Sequence, residues 1–97
     1  MLSLIPIVLV ASFYGQPFHG RTAADGSTYN MHASTAAHKT LPFGTKLKVC
    51  YRSCETVTIT DRGPFIEGRD LDLSQGTARR IGMENAGVAP VVVTRIN

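Results

Sequence analysis

Lys46-Leu47-Lys48-Val49-Cys50-Tyr51-Arg52-Ser53-Cys54-Glu55-Thr56-Val57-Thr58-Ile59-Thr60-Asp61-Arg62-Gly63-Pro64-Phe65 is the stretch whose reading decides the fold. Polar and apolar residues alternate from Lys46 to Val49 and again from Thr56 to Ile59, the mark of two half-buried strands. Only three residues separate Cys50 from Cys54, so the strands close as a hairpin with the cysteines facing each other. Opposite residues of an antiparallel pair stand about 4.5–5.5 Å apart, within the Cα separation that a disulfide tolerates. A hairpin disulfide is therefore expected, which favours an oxidising compartment; a reduced pair is the alternative. So small a loop restrains the unfolded chain little, so the bond's task is to fix the hairpin. No second close-spaced ligand pair follows, which argues against zinc.

Outward from this hairpin the same strand reading applies to Val8–Tyr14 and Pro90–Ile96, and to a shorter run at Leu71–Leu73. Ser34–His38 reads as one helical turn stopped by Leu41-Pro42. Ser74 is placed to cap a second short helix, Gln75–Ile81, with Gly82 where a C-terminal glycine belongs. Ninety-seven residues suffice for one domain and not two. The chain is expected to be mostly β, a small barrel or sandwich. Residues 1–10 read as a short apolar leader or the start of the first strand, and 11–97 as the domain. The apolar run is too short to span a bilayer and lacks a basic leader; a degenerate or truncated signal peptide is the other reading.

A net charge of +3 suits an acidic partner. The ten Lys and Arg residues are dispersed rather than clustered, and no zinc-finger or aromatic RNA-binding pattern appears, which argues against nucleic acid. An acidic wall polymer fits the charge as well. The chain holds no nucleophile elbow of the Gly-x-Ser-x-Gly type and no phosphate-binding loop, and no metal or cofactor is expected.

Three segments carry groups able to do chemistry: 18–27, 35–45 and 60–74. Asp61 ends an alternating strand just before a Gly-Pro turn, where a rigid scaffold presents reactive groups; as an isolated residue it equally suits a turn-forming aspartate. Asp72, between Leu71 and Leu73, points away from the face that buries them. It is either a second active carboxylate or a partner of the helix start. His38 is a residue able to hold a carboxylate or a sugar hydroxyl near neutral pH, or to donate one backbone hydrogen bond and nothing more. His19 and His32 read as structural. Tyr14, Phe13 and Phe65 could each offer a face on which a sugar stacks, with barrel core the stronger reading for Phe13 and Phe65.

Together, Ala11–Gly15, Phe18-His19-Gly20-Arg21-Thr22-Ala23, Thr35–Thr45, Asp61–Phe65 and Asp72-Leu73-Ser74 resemble the rare lipoprotein A family from about Ala11 to Asn97. The resemblance implies a six-stranded double-psi β-barrel with one or two short helices and a polysaccharide groove. It implies a lytic transglycosylase acting on peptidoglycan glycan strands poor in stem peptides, extracytoplasmic and monomeric. The family's catalytic aspartate falls on Asp61 and its active-site histidine on His38. Asp72, Tyr14 and Arg62 become supporting residues, with Arg62 expected to pair away from Asp61. The family's acidic residue after Ala-x-Gly falls on Ser27, a departure that opens the alternative of a non-catalytic, expansin-like polysaccharide-binding module. A lipid-attachment cysteine is not seen near the N-terminus, so an anchor is not implied.

Overall fold

The computed structural model describes residues 5–97. The head of the apolar leader, Met1 to Leu4, lies outside the described residues. Six strands and one short helix follow: β1 (Ile7–Tyr14), β2 (Thr35–His38), β3 (Lys46–Cys50), β4 (Cys54–Asp61), β5 (Leu71–Ser74), α1 (Gln75–Arg80) and β6 (Ala89–Arg95). They close into a barrel in the order β1-β5-β2-β4-β3-β6. Two neighbouring pairs, β1 with β5 and β2 with β4, run parallel, and the other four run antiparallel. This is the mostly β, six-stranded double-psi architecture that the sequence implied.

Alternation fixes which side chains go inside. Leu47, Val49, Val57, Ile59, Leu71, Leu73, Val91 and Val93 are each at most 1% exposed and fill the barrel. Each contributes about 1.5–3 kcal/mol by leaving water. Cys50 and Cys54 are register partners at the β3–β4 turn and are joined as a disulfide, with their Cα atoms 4.0 Å apart. Ser74 caps α1, its Oγ accepting from Thr77 N at 3.1 Å. The helix ends at Ile81, and Gly82 follows with φ +87°, a left-handed conformation that glycine adopts without steric cost. Glu55 fastens this helix to the start of β4 by accepting from Arg80 Nε at 2.6 Å, Thr77 Oγ1 at 2.7 Å and Ser34 Oγ at 3.0 Å.

The expected helical turn at Ser34–His38 is instead strand β2. Its backbone pairs with β4 on one edge and β5 on the other, which satisfies far more N–H and C=O groups than one isolated turn can. Alanine's helical preference, roughly a few tenths of a kcal/mol per residue, does not compete with that. Ala36 and Ala37 are 0% and 3% exposed, so the segment's small side chains serve close packing.

Candidate active site

Sheet register builds the site. Ala37 on β2 is the register partner of both Asp61 on β4 and Asp72 on β5, and Asp72 is in turn the partner of Ser12 on β1. Partners in register point to one face of a sheet. Leu71, Leu73 and Ile59 point inward, so Ser12, Asp72, Ala37 and Asp61 form a row across the outer face. The alanine methyl keeps the floor between the two carboxylates low.

Asp61 joins this row through an irregularity. Counting by twos from the buried Ile59 would turn Asp61 into the barrel. A register shift between Ala36 and Ala37 leaves Thr60 unpaired with β2, so that Ala36 meets Ile59 while Ala37 meets Asp61. One extra residue reverses the alternation and carries the carboxylate outward, a familiar use of a bulge beside a working site.

The two oxygens of Asp61 are treated differently. Oδ1 accepts two backbone N–H bonds, from Ala24 and from Arg62, both at 2.9 Å. Among the described residues Oδ2 receives only the Tyr14 hydroxyl, at a long 3.5 Å. Oδ1 is thus committed as an acceptor, and Oδ2 is the oxygen able to carry or give a proton. Burial, and then the charge of Asp61, hold the Tyr14 phenol well above its ordinary range, so it remains a donor. Tyr29 stacks on Tyr14 with ring centroids 4.4 Å apart and planes 13° from parallel. Its hydroxyl donates to the Tyr14 carbonyl oxygen.

Asp72 accepts from Ser12 Oγ at 2.9 Å rather than from the start of α1. Burial pushes its carboxyl above the usual range, and the charge of Asp61 adds to this, against the opposing effects of Ser12 and Arg69. Arg62 follows Asp61 but turns its side chain from the carboxyl, its Nη1 donating at 3.4 Å to the Asp61 carbonyl oxygen instead. Its Nη1 donates to Leu41 O at 2.9 Å and His38 O at 3.3 Å, and its guanidinium lies 3.9 Å from the Phe43 ring centroid.

His38, next to Ala37 at the end of β2, pairs in register with Leu71 instead of Asp72. Its Nδ1 accepts from Thr40 N at 3.1 Å and Leu41 N at 3.0 Å, so the ring accepts backbone bonds rather than donating one. That fixes the neutral tautomer with its proton on Nε2. Burial, reinforced by the Arg62 charge, lowers its pKa. Among the described residues no hydrogen bond joins His38 to Asp61, and its link to the row runs through Arg62. Ser27 likewise makes no bond to Asp61. Its N and Oγ both donate to Asp25 Oδ1, while Asp25 N donates to Thr60 O at 3.0 Å and lays this loop along the end of β4.

Phe13 is half-buried and packs on the core. Phe65 does not: it is 81% exposed, against the expectation of a core residue. The chain turns at Gly63 (φ +122°), and the ring leans on that glycine, where an added Cβ would meet it at 3.5 Å. The Phe65 side chain therefore stands in solvent four residues beyond Asp61. Sequence reasoning also missed Ser12, Ala24 and Tyr29. Ser12 was recoverable, because it shares a face of β1 with Tyr14. Ala24 acts only through its backbone, and Tyr29 sits on a loop whose path no local pattern gives. Among the described residues no group of three or more His, Cys, Asp or Glu side chains is placed to hold a metal ion.

The lytic transglycolase family model matches residues 7–93. The chain belongs to that family. It is 52% identical over 87 residues to the probable endolytic peptidoglycan transglycosylase RlpA of Synechocystis, covering 87% of this chain and 27% of that protein. It is 51% identical over 85 residues to the endolytic peptidoglycan transglycosylase RlpA of Campylobacter jejuni, covering 84% of this chain and 31% of that one. The chain thus spans less than a third of either relative's length. Its barrel is similar to that of a Streptomyces papain inhibitor, with a TM-score of 0.75, 18% identity and 96% of each chain covered. It is also similar to a variant expansin of Clavibacter michiganensis solved in complex with cellohexaose, with a TM-score of 0.73, 20% identity, and 96% of this chain and 51% of that one covered. These likenesses establish the fold that this family member shares with them.

Proposed function

We propose that this lytic transglycolase-family barrel cleaves peptidoglycan glycan strands outside the cytoplasm, using Asp61 as both acid and base. The observation that carries this reading is the divided carboxyl of Asp61: one oxygen pinned by two backbone N–H groups, the other facing outward beneath a tyrosine hydroxyl. Family membership supports the reaction type, and the disulfide supports the compartment.

Protonated Asp61 Oδ2 donates to the glycosidic oxygen as the C1–O bond breaks and positive charge grows on the sugar ring. The resulting carboxylate then takes the proton of the sugar's own 6-hydroxyl, whose oxygen closes on C1 as a 1,6-anhydro ring. The proton count returns to its start, and no water is activated, so one carboxyl serves both steps. Negative charge builds on Oδ2 during the first step. The Tyr14 hydroxyl, too distant to bind strongly beforehand, closes on that charge, an interaction strengthened only as the reaction proceeds. Asp72 supplies a second, partly buried carboxyl in the same row, one alanine away from Asp61. The exposed Phe65 ring offers a face for a neighbouring sugar.

Incubation with purified glycan strands stripped of stem peptides tests the reading. Anhydro-ended fragments are the expected product; reducing ends without anhydro sugars would point to hydrolysis and refute it. The serine at position 27 favours a second reading, a polysaccharide-binding module without catalysis. Binding of the same strands with no new chain ends would support that alternative.

A further inference from the structure

Tyr29 is 4% exposed and lies between β1 and β2, outside every strand, with no part in the chemistry just described. Three contacts give it a purpose. Its ring lies nearly parallel against the Tyr14 ring, 4.4 Å between centroids. Its hydroxyl donates to the Tyr14 carbonyl oxygen. Its own backbone is held at both groups, N to Arg21 O at 2.7 Å and O from Gly20 N at 2.8 Å. The loop is thereby clamped, and Tyr29 grips Tyr14 by side chain and main chain at once.

Tyr14 is the last residue of β1, where a strand loses the restraint of a continuing ladder. Phe18 touches the same ring only edge-on, at 5.8 Å. Without the stack, Tyr14 would be free to take another rotamer, and its hydroxyl would leave Oδ2. A misplacement of about 1 Å in such a contact is costly to catalysis.

We propose that Tyr29 is a positioning residue: by stacking on Tyr14 and bonding its carbonyl, it fixes the hydroxyl that meets charge on Asp61 Oδ2. The inference rests on the transglycosylase reading above. Its test is a double-mutant cycle on anhydro-end release, comparing Tyr29→Leu, Tyr29→Phe and Tyr14→Phe with the Tyr14→Phe/Tyr29→Leu pair, with folding checked by thermal melting. Tyr29→Leu is expected to lower kcat by about tenfold with KM little changed, and Tyr29→Phe, which keeps the stack, by about threefold. In the Tyr14→Phe background Tyr29→Leu should cost less than about twofold, because the hydroxyl it positions is already gone.

Equal losses from Tyr29→Leu in both backgrounds would overturn the proposal and leave a merely structural role, with the transglycosylase reading intact. Should Tyr29→Leu fail to fold, Tyr29→Phe carries the same comparison: a loss confined to the chain bearing Tyr14 supports the proposal, and an equal loss in both overturns it. An unaltered protein that yields no anhydro ends would remove the underlying reading, and this inference with it.

Discussion

Replacing Tyr14 by Phe deletes one oxygen atom and leaves the ring that stacks on Tyr29 and meets Phe18. In the resting site the lost hydrogen bond is 3.5 Å long, beyond the usual O–H···O range, so its removal should alter substrate binding little. In the proposed mechanism its weight falls on the step in which Asp61 Oδ2 becomes charged. A hydrogen bond to a charged group is worth about 1.5–3 kcal/mol. With about 1.4 kcal/mol per factor of ten in rate, kcat should fall by roughly 10- to 150-fold while KM stays within about twofold. The assay is the initial rate of anhydro-end formation from denuded glycan strands over a range of strand concentrations, with far-UV circular dichroism as a folding control. A variant that keeps full kcat, or loses activity only through KM, would refute the claim that this hydroxyl acts on developing charge.

Other outcomes follow from neighbouring groups. Burial alone would push the Glu55 carboxyl upward, but hydrogen bonds from Arg80, Thr77 and Ser34 outweigh it and hold Glu55 below the ordinary glutamate range. A depressed folded value means its contribution is present above the unfolded value and lost as pH falls through the folded one. Glu55→Gln should therefore lower stability by about 1–2 kcal/mol at pH 7, the Arg80 part discounted for solvent screening, and by progressively less as pH falls from the unfolded glutamate value through the folded one; identical pH–stability curves for the two proteins would contradict this. Phe65→Ala should raise KM for glycan about three- to tenfold with kcat unchanged, and an unaltered KM would deny the ring a place on the substrate. Asp72→Asn should slow release of anhydro ends about tenfold, well short of the loss at Asp61; complete loss at Asp72 with activity kept at Asp61 would exchange their roles.

The sequence made the barrel legible wherever alternation was clean. Lys46–Val49 and Thr56–Ile59 declared both a hairpin and its inward faces, and the cysteine spacing declared the disulfide. β2 was misread because four residues rich in alanine carry no periodic signal of their own; what makes them a strand is the pair of edges offered by β4 and β5. The same limit hid the bulge. Alternation from Ile59 sends Asp61 inward, and only pairing with a strand 20-odd residues upstream reverses it. Asp61 and Asp72 were recognisable as candidates, yet their common partner, Ala37, is a product of topology. Phe65 reads as core in the sequence, but a turn at Gly63 leaves it in water. Tyr29 depended entirely on how the loop between β1 and β2 returns to the barrel.

The proposed reaction runs through the outward oxygen of one carboxyl, and Asp61→Asn removes its acidity while preserving its shape and its two backbone bonds. The decisive measurement is the yield of anhydro-ended fragments from denuded glycan strands, taken beside the variant's affinity for the same strands. The account predicts at least a roughly thousandfold fall in product with affinity within a few fold of the original. An asparagine variant that still releases anhydro ends at a comparable rate would contradict it.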